Sequence, residues 1–248
     1  MAAVMALLIA ILKVGVGLLA LPVYVLYFLG LWDPICKRFF SCFMSIFTRL
    51  FNRKMQQYKK ELFSTLGDFG GPSGQLTLLE IGCGTGANFQ FFPNGCRVTC
   101  VDPNPHFQRY LSNSLKENKH IRFERFLVAS GEEMTQVATA SMDVVVCTLV
   151  LCSVKDIDAV LREAKRVLRP GGGFFFLEHV IGHASSWTFF FQQILDPTWQ
   201  RLFDGCHLMR ETWRNLEQAG FTELKLRHIT PPMKLNPANP TVLGYAVK

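Results

Sequence analysis

Two acids bracket a run of glycines in this chain. Glu80 precedes Gly82, Gly84 and Gly86 in the segment LLEIGCGTGAN, and Asp102 follows eighteen residues after Gly84. Glycines at alternate positions permit backbone angles and close ligand approach that a Cβ forbids. Taken alone, the run also satisfies the loose dinucleotide pattern G-x-G-x-x-G/A, so the glycines by themselves are weak evidence. Glu80 points to a different ligand. A loop that cradles pyrophosphate gains nothing from a carboxylate two residues before its first glycine, whereas a ligand bearing positive charge does. Asp102 ends the next apolar segment and is placed to accept hydrogen bonds from ribose hydroxyls.

The elements that must hold these residues follow from the alternation of apolar and amphipathic segments. Strands are expected over TLLEIG, RVTCVD, residues 121–128, DVVVCTLVL and FFFLEHV. Helices are expected near residues 87–92, over 106–118, after GEEM to a point near 139, over 156–168 and over 210–219. Short, nearly continuous apolar strands alternating with helices indicate a parallel sheet covered on both faces. The glycine loop then lies at a strand-to-helix junction, where an open α/β sheet places its ligand. GDFGGPSGQ reads as the entry to this domain, and the aromatic-rich stretch up to Cys206 as irregular structure. Two final strands, TELKLRH and VLGYAVK, have no helix between them, only the proline-rich PPMKLNPANP, and should form an antiparallel pair at one edge.

The 248 residues are 49% hydrophobic and 18% charged, which excludes a disordered chain. Residues 1–60 hold eight basic residues (Lys13, Lys37, Arg38, Arg49, Arg53, Lys54, Lys59 and Lys60) against the single Asp33, and residues 61–248 are balanced. A nucleic-acid-binding domain carries its own basic footprint, and this one does not, so no nucleic-acid partner is expected. From Val14 to Trp32 nineteen residues run without a charge, roughly 28 Å as a helix and near the ~30 Å of a bilayer's hydrocarbon. Pro22 and Gly30 within that run are tolerated in membrane helices. A spanning helix and a helix or hairpin embedded in one leaflet both fit; a cleaved signal fits less well, because the start is uncharged. Residues 35–51 repeat Ile35, Phe39, Phe43, Ile46 and Leu50 at helical spacing among Lys37, Arg38 and Arg49, as expected of a helix lying among lipid headgroups. The expected organisation is an anchor over 1–34, a basic amphipathic segment over 35–60 and a catalytic domain over 61–248.

The eight cysteines form no CxxC pair, so neither a structural zinc site nor a thioredoxin-like centre is expected, and no metal is assigned. Reduced, mostly buried thiols are the expectation for Cys100, Cys147 and Cys152.

Glu80-Ile-Gly82-Cys-Gly84-Thr-Gly86 resembles the first motif of class I S-adenosylmethionine-dependent methyltransferases, an acid followed by G-x-G-x-G. Asp102 matches their ribose-binding acid. Ser130-Gly131-Glu132-Glu133 matches the adenine segment, with Ser130 where many relatives have Asp. Arg166-Val-Leu168-Arg-Pro170-Gly171-Gly172 matches the signature before strand five. The resemblance implies a seven-stranded Rossmann-like sheet with helices on both faces and an antiparallel last strand, preceded by a membrane-anchoring helix. It also implies S-adenosyl-L-methionine as cofactor, held by Glu80, Gly82, Gly84, Gly86, Asp102, Ser130, Gly131 and Glu132.

Over essentially its whole length, through ELFSTLGDFGGPSG, GCRVTCVDPNPHF, ERFLVASGEEM, LDPTW, FDGC and GYAVK, the chain is similar to the methyltransferase-like 7 proteins. That narrower resemblance implies methyl transfer to small lipophilic alkyl thiols or hydrogen sulfide, with membrane lipid as a partner. The implied site of action is the cytosolic face of the endoplasmic reticulum or lipid droplets. Transfer to a thiolate needs alignment in a dry pocket more than a strong base, because free thiols have a pKa near 8.5. The groups able to take the thiol's proton are Glu178, His179, Asp204 and His207. His179 and Asp204 are the expected catalytic residues, His179 first because a strand-end imidazole accepts a proton near neutral pH; an alternative reading of Cys206 is a thiol that merely lines the pocket. Alternatives are a methyltransferase acting on a quinone or sterol-like acceptor, and a non-catalytic lipid-droplet recruitment protein.

Overall fold

All seven segments expected to be strands form them. The computed structural model describes residues 2–71, 74–233 and 236–248. Pro72 and Ser73 of the expected entry loop, and Lys234 and Leu235 of the proline-rich connection, lie outside the described residues. The elements in order are α1 (Ala2–Leu19), α2 (Leu21–Phe28), α3 (Trp32–Phe63), β1 (Thr77–Ile81), β2 (Arg97–Val101), α4 (Gln108–Glu117), β3 (Arg122–Leu127), β4 (Met142–Thr148), α5 (Ile157–Val167), β5 (Leu168–His179), α6 (Trp187–Leu202), α7 (Thr212–Gln218), β6 (Glu223–Ile229) and β7 (Thr241–Val247).

The seven strands lie in the order β3-β2-β1-β4-β5-β7-β6. Pairing is parallel from β3 through β5, while β7 runs antiparallel to both β5 and β6. The last two strands therefore form the expected antiparallel pair at one edge, with the reversed β7 inserted between β5 and the outermost β6. Leu78, Val98, Val144, Val146, Phe175 and Leu177 point into one core, and Leu79, Ile81, Val101, Val145, Phe174 and Phe176 into the other. This two-sided burial is why the strands read as continuous apolar runs rather than alternating ones.

Four local expectations are corrected. Residues 87–92 hold only a short 3-10 turn at Phe89–Phe91, confined by Gly86 at φ +76° and by Pro93. The segment after GEEM is a series of turns. Its carbonyls at Met134 and Val137 are taken by the Arg166 guanidinium, both at 2.9 Å, instead of by a helical ladder. The aromatic stretch is helical: α6 is capped by Ser186, whose hydroxyl accepts from the Phe189 amide at 3.1 Å. Finally, the apolar run from Val14 to Trp32 is broken. Pro22 sits in the first turn of α2, where it cannot continue the helix of α1, and the two helices bend by 70°. Among the described residues no single helix is long and apolar enough to cross a membrane, although the bent pair passes that test together.

The N-terminal helices are docked on the domain rather than held apart from it. Helix α1 packs against α6. From α2, the Tyr24 hydroxyl pairs with Thr198 Oγ1 at 3.1 Å, and Arg201 stacks over the Tyr27 ring at 3.9 Å. Helix α3 runs through residue 60 without a break and sends Phe51, Met55, Leu62 and Phe63 into the core.

Candidate active site

The carboxyl ends of β1, β2 and β4 open into a crevice of about 910 Å³, at the point where the strand order reverses between β1 and β4. The glycine run folds over it because all three of its glycines take positive φ. Gly82 has φ +62°, and a Cβ there would sit 2.2 Å from Val150 Cγ2. Gly84 has φ +51° and lines the crevice; a Cβ there would only touch Phe107, at 3.8 Å, so the backbone conformation rather than crowding calls for glycine. The Gly84 amide donates to Asp102 Oδ2 at 3.0 Å, and the Asn104 amide to Asp102 Oδ1 at 2.9 Å. Each carboxylate oxygen thus takes one backbone donor and keeps a lone pair for a ligand hydroxyl. Burial pushes the Asp102 carboxyl up to about 6, against the pull of those two amides.

Glu80 anchors a buried polar network that reaches back to the N-terminal helix. Asn88 donates to Glu80 Oε1 at 2.7 Å and to Thr148 Oγ1 at 2.9 Å. Lys59, fully buried on α3, donates to Asn88 Oδ1 and to Asn52 Oδ1, both at 2.7 Å. Asn52 in turn donates to the Ala87 carbonyl at 2.7 Å. Burial draws the Lys59 ammonium down and the Glu80 carboxyl up, and the attraction between their opposite charges works against both shifts. Glu80 Oε2 is buried without a hydrogen-bond partner, and Lys59 and Glu80 both line the crevice. One acceptor atom is therefore left for a cationic ligand, and a lysine with one N–H to spare stands nearby.

Sequence reasoning missed Lys59, Asn52 and Asn88. Lys59 entered the basic excess assigned to the membrane surface, yet it is 1% exposed. A signal was present: Asn52, Met55, Lys59 and Leu62 recur at intervals of three and four, the spacing of one buried helix face.

The far end of the crevice is built differently. Tyr27 comes from α2, Trp32, Phe40, Met44 and Phe47 come from α3, and Asp204 and His207 come from the turn after α6. Trp32 Nε1 donates to the Arg201 carbonyl at 2.6 Å, and Phe43 packs edge-on against Phe203 at 5.5 Å, so α3 and the end of α6 close on each other.

The expected site residues distribute as follows. Glu80, Gly82, Gly84, Asp102, Ser130, Gly131 and Glu132 line the crevice. Gly86, at φ +76°, shapes the loop from behind, where a Cβ would meet Phe89 and Ser114. Glu132 is engaged within the protein: Ser130 donates to its Oε2, and the Lys155 and Asp156 amides to its Oε1 at 2.6 and 2.9 Å. Burial alone would raise its carboxyl, but these bonds outweigh it and hold the group below the usual range. Asp204 lines the crevice at φ +48°, a backbone conformation rare outside glycine, asparagine and aspartate. His207 lies beside it. His179 is 3% exposed and does not face the crevice: its Nε2 lies 3.0 Å from Cys206 Sγ. Glu178 is buried and receives the Val150 amide, so it fastens a loop rather than facing a substrate.

Residues 79–176 match the methyltransferase domain family. The chain is 59% identical over 223 residues to "Thiol S-methyltransferase TMT1A" of Homo sapiens, covering 90% of this chain and 91% of that protein. It is 53% identical over 244 residues to "Thiol S-methyltransferase TMT1B" of Homo sapiens, covering 98% and 100%. Among solved structures, a geranyl diphosphate methyltransferase bound to GPP and sinefungin superposes with a TM-score of 0.56 at 18% identity, covering 77% of each chain. A phosphoethanolamine N-methyltransferase of Haemonchus contortus bound to S-adenosyl-L-methionine gives 0.55 at 18% identity, covering 76% of this chain and 52% of that one.

Proposed function

The chain belongs to the S-adenosylmethionine-dependent thiol S-methyltransferase family, and on that premise we propose that its acceptors are small lipophilic alkyl thiols, with hydrogen sulfide as the smallest. The reaction is methylation of a thiol sulfur. We place it at the cytosolic face of the endoplasmic reticulum or of lipid droplets.

Bound S-adenosylmethionine supplies an electrophilic methyl group on a sulfonium. The residues at the donor end fit that molecule, because Glu80 Oε2 is a buried acceptor without a partner in the protein. Asp102 would hold the ribose hydroxyls on its free lone pairs. Glu80 would take the amino group, and the spare N–H of Lys59 the carboxylate. Displacement at a methyl group needs the thiolate in line behind it, so what the protein contributes is alignment and exclusion of water. Asp204, on the acceptor side of the crevice, is the carboxylate positioned to receive the thiol's proton.

The observation that carries the acceptor assignment is the aromatic wall of Tyr27, Trp32, Phe40 and Phe47. The helices that provide this wall, together with α1 before them, carry an exposed apolar surface of Leu7, Ile11, Val14, Leu18, Phe28, Ile35, Phe39 and Ile46. An apolar surface of this extent suits burial in lipid better than contact with water. The bend at Pro22 favours a pair of helices lying in one leaflet over a straight span. An acceptor dissolved in the membrane would then reach the crevice past the elements that hold the enzyme there. A series of alkanethiols of increasing chain length, assayed with the full chain in vesicles, tests this. The expected result is kcat/KM rising with chain length and low for glutathione; a flat series, or one led by glutathione, contradicts it.

A further inference from the structure

We propose that Cys152, His179 and Cys206 form a zinc site behind the acceptor end of the crevice. The three come from the loop after β4, the end of β5 and the turn after α6, segments that meet only in the folded chain. His179 Nε2 lies 3.0 Å from Cys206 Sγ, and the two sulfurs are 3.7 Å apart. All three donor atoms lie within 4.8 Å of one another.

Those separations suit one cation. Zinc–sulfur bonds of about 2.3 Å at tetrahedral angles place two sulfurs roughly 3.8 Å apart, and an imidazole nitrogen at about 2.0 Å stands roughly 3.5 Å from each. The sulfur pair already matches, and His179 needs to withdraw from Cys206 by about half an ångström. Two thiolates and an imidazole select zinc over magnesium or calcium, which take oxygen. Trp199 Nε1 donates to Cys206 Sγ at 3.3 Å, the kind of outer contact that orients a ligating sulfur. On zinc uptake each thiol releases one proton to solvent; no electrons move.

Three protein ligands leave a fourth position for water or an exogenous donor. Ser153, Gly205 and His207, which flank the two cysteines, line the crevice. The site therefore ties together two segments that border the space where the acceptor binds.

The test uses the full chain in detergent, purified under reducing conditions and without chelator from zinc-supplemented cells. About one zinc per chain is expected by elemental analysis. Cys152→Ser and Cys206→Ser should each lower it by at least about tenfold, while Cys42→Ser leaves it unchanged. To separate loss of metal from loss of fold, metal-stripped wild-type chain is also titrated with Co²⁺. Thiolate-to-cobalt charge-transfer absorption saturating at about one equivalent, and abolished by zinc, is expected. The proposal is overturned if wild-type chain retains no zinc and gives no such band. It is equally overturned if the band persists in the double serine variant, or if Cys152 and Cys206 are found joined as a disulfide.

Discussion

The two ends of the crevice are made in opposite ways. At the donor end, Glu80 near the end of β1 and Asp102 just past the end of the adjacent β2 are almost wholly buried, with the glycine loop between them. At the acceptor end, Tyr27, Trp32, Asp204 and His207 come from distant parts of the chain and lie in helices or turns at the surface. The first is an electrostatic cradle that needs fixed positions and low dielectric, so it is built into the core. The second is an apolar opening that needs access, so it is assembled from elements that also face outward. Helix α3 joins them: Lys59 near its end belongs to the donor network, and Trp32 and Phe40 near its start wall the acceptor side.

This contrast is broken most directly by removing residues 1–32. Turnover of lipophilic thiols should fall on the order of 10²-fold through lost alignment, while S-adenosylmethionine affinity, measured by calorimetry, stays within about threefold. Equal losses of both would erase the distinction between the ends. Asp102→Ala should act in the opposite sense, weakening donor binding by about 1–3 kcal/mol through lost charge-assisted bonds, with acceptor preference unchanged. Lys59→Met should weaken S-adenosylmethionine by about tenfold but decarboxylated S-adenosylmethionine hardly at all. If both ligands weaken equally, Lys59 only supports the fold.

Acidity gives a smaller effect. With Asp102 titrating at about 6, its carboxylate is ionised above that value and protonated below it. Donor affinity should therefore fall by about fourfold between pH 7.5 and 5.5, and Asp102→Asn should flatten that limb. The smallest effect is expected from Trp187→Ala. Trp187 is 77% exposed and lines a groove between α1 and α6, away from the crevice. Vesicle binding should drop by about threefold with thiol selectivity unchanged; altered selectivity would move the acceptor entrance to α6.

The donor end was legible in the sequence because its chemistry is local. Acid, glycines and second acid lie on consecutive strands, and the strand pattern fixes where they point. The parallel sheet and reversed last strand were legible for the same reason. Of the acceptor end, the sequence pointed to Asp204 and His207, which line it, but not to its assembly, because Trp32 meets Arg201, and Cys206 meets Cys152 and His179, only through tertiary packing. Periodicity shows that α3 has a buried face but not that Lys59 on it finds Asn88. The same holds for His179: a strand-end position fixes its height on the sheet, not that its ring finds Cys206.

The central claim is that this crevice aligns a sulfonium methyl group with a thiol sulfur. Purified full chain, S-adenosylmethionine carrying a deuterated methyl group and an alkanethiol, with products identified by mass spectrometry, test it in one measurement. The account predicts the deuterated methyl on sulfur, as the alkyl methyl thioether, in amounts matching the S-adenosylhomocysteine formed. No thioether, or label delivered instead to the carbon or oxygen of a quinone offered in competition, would contradict it.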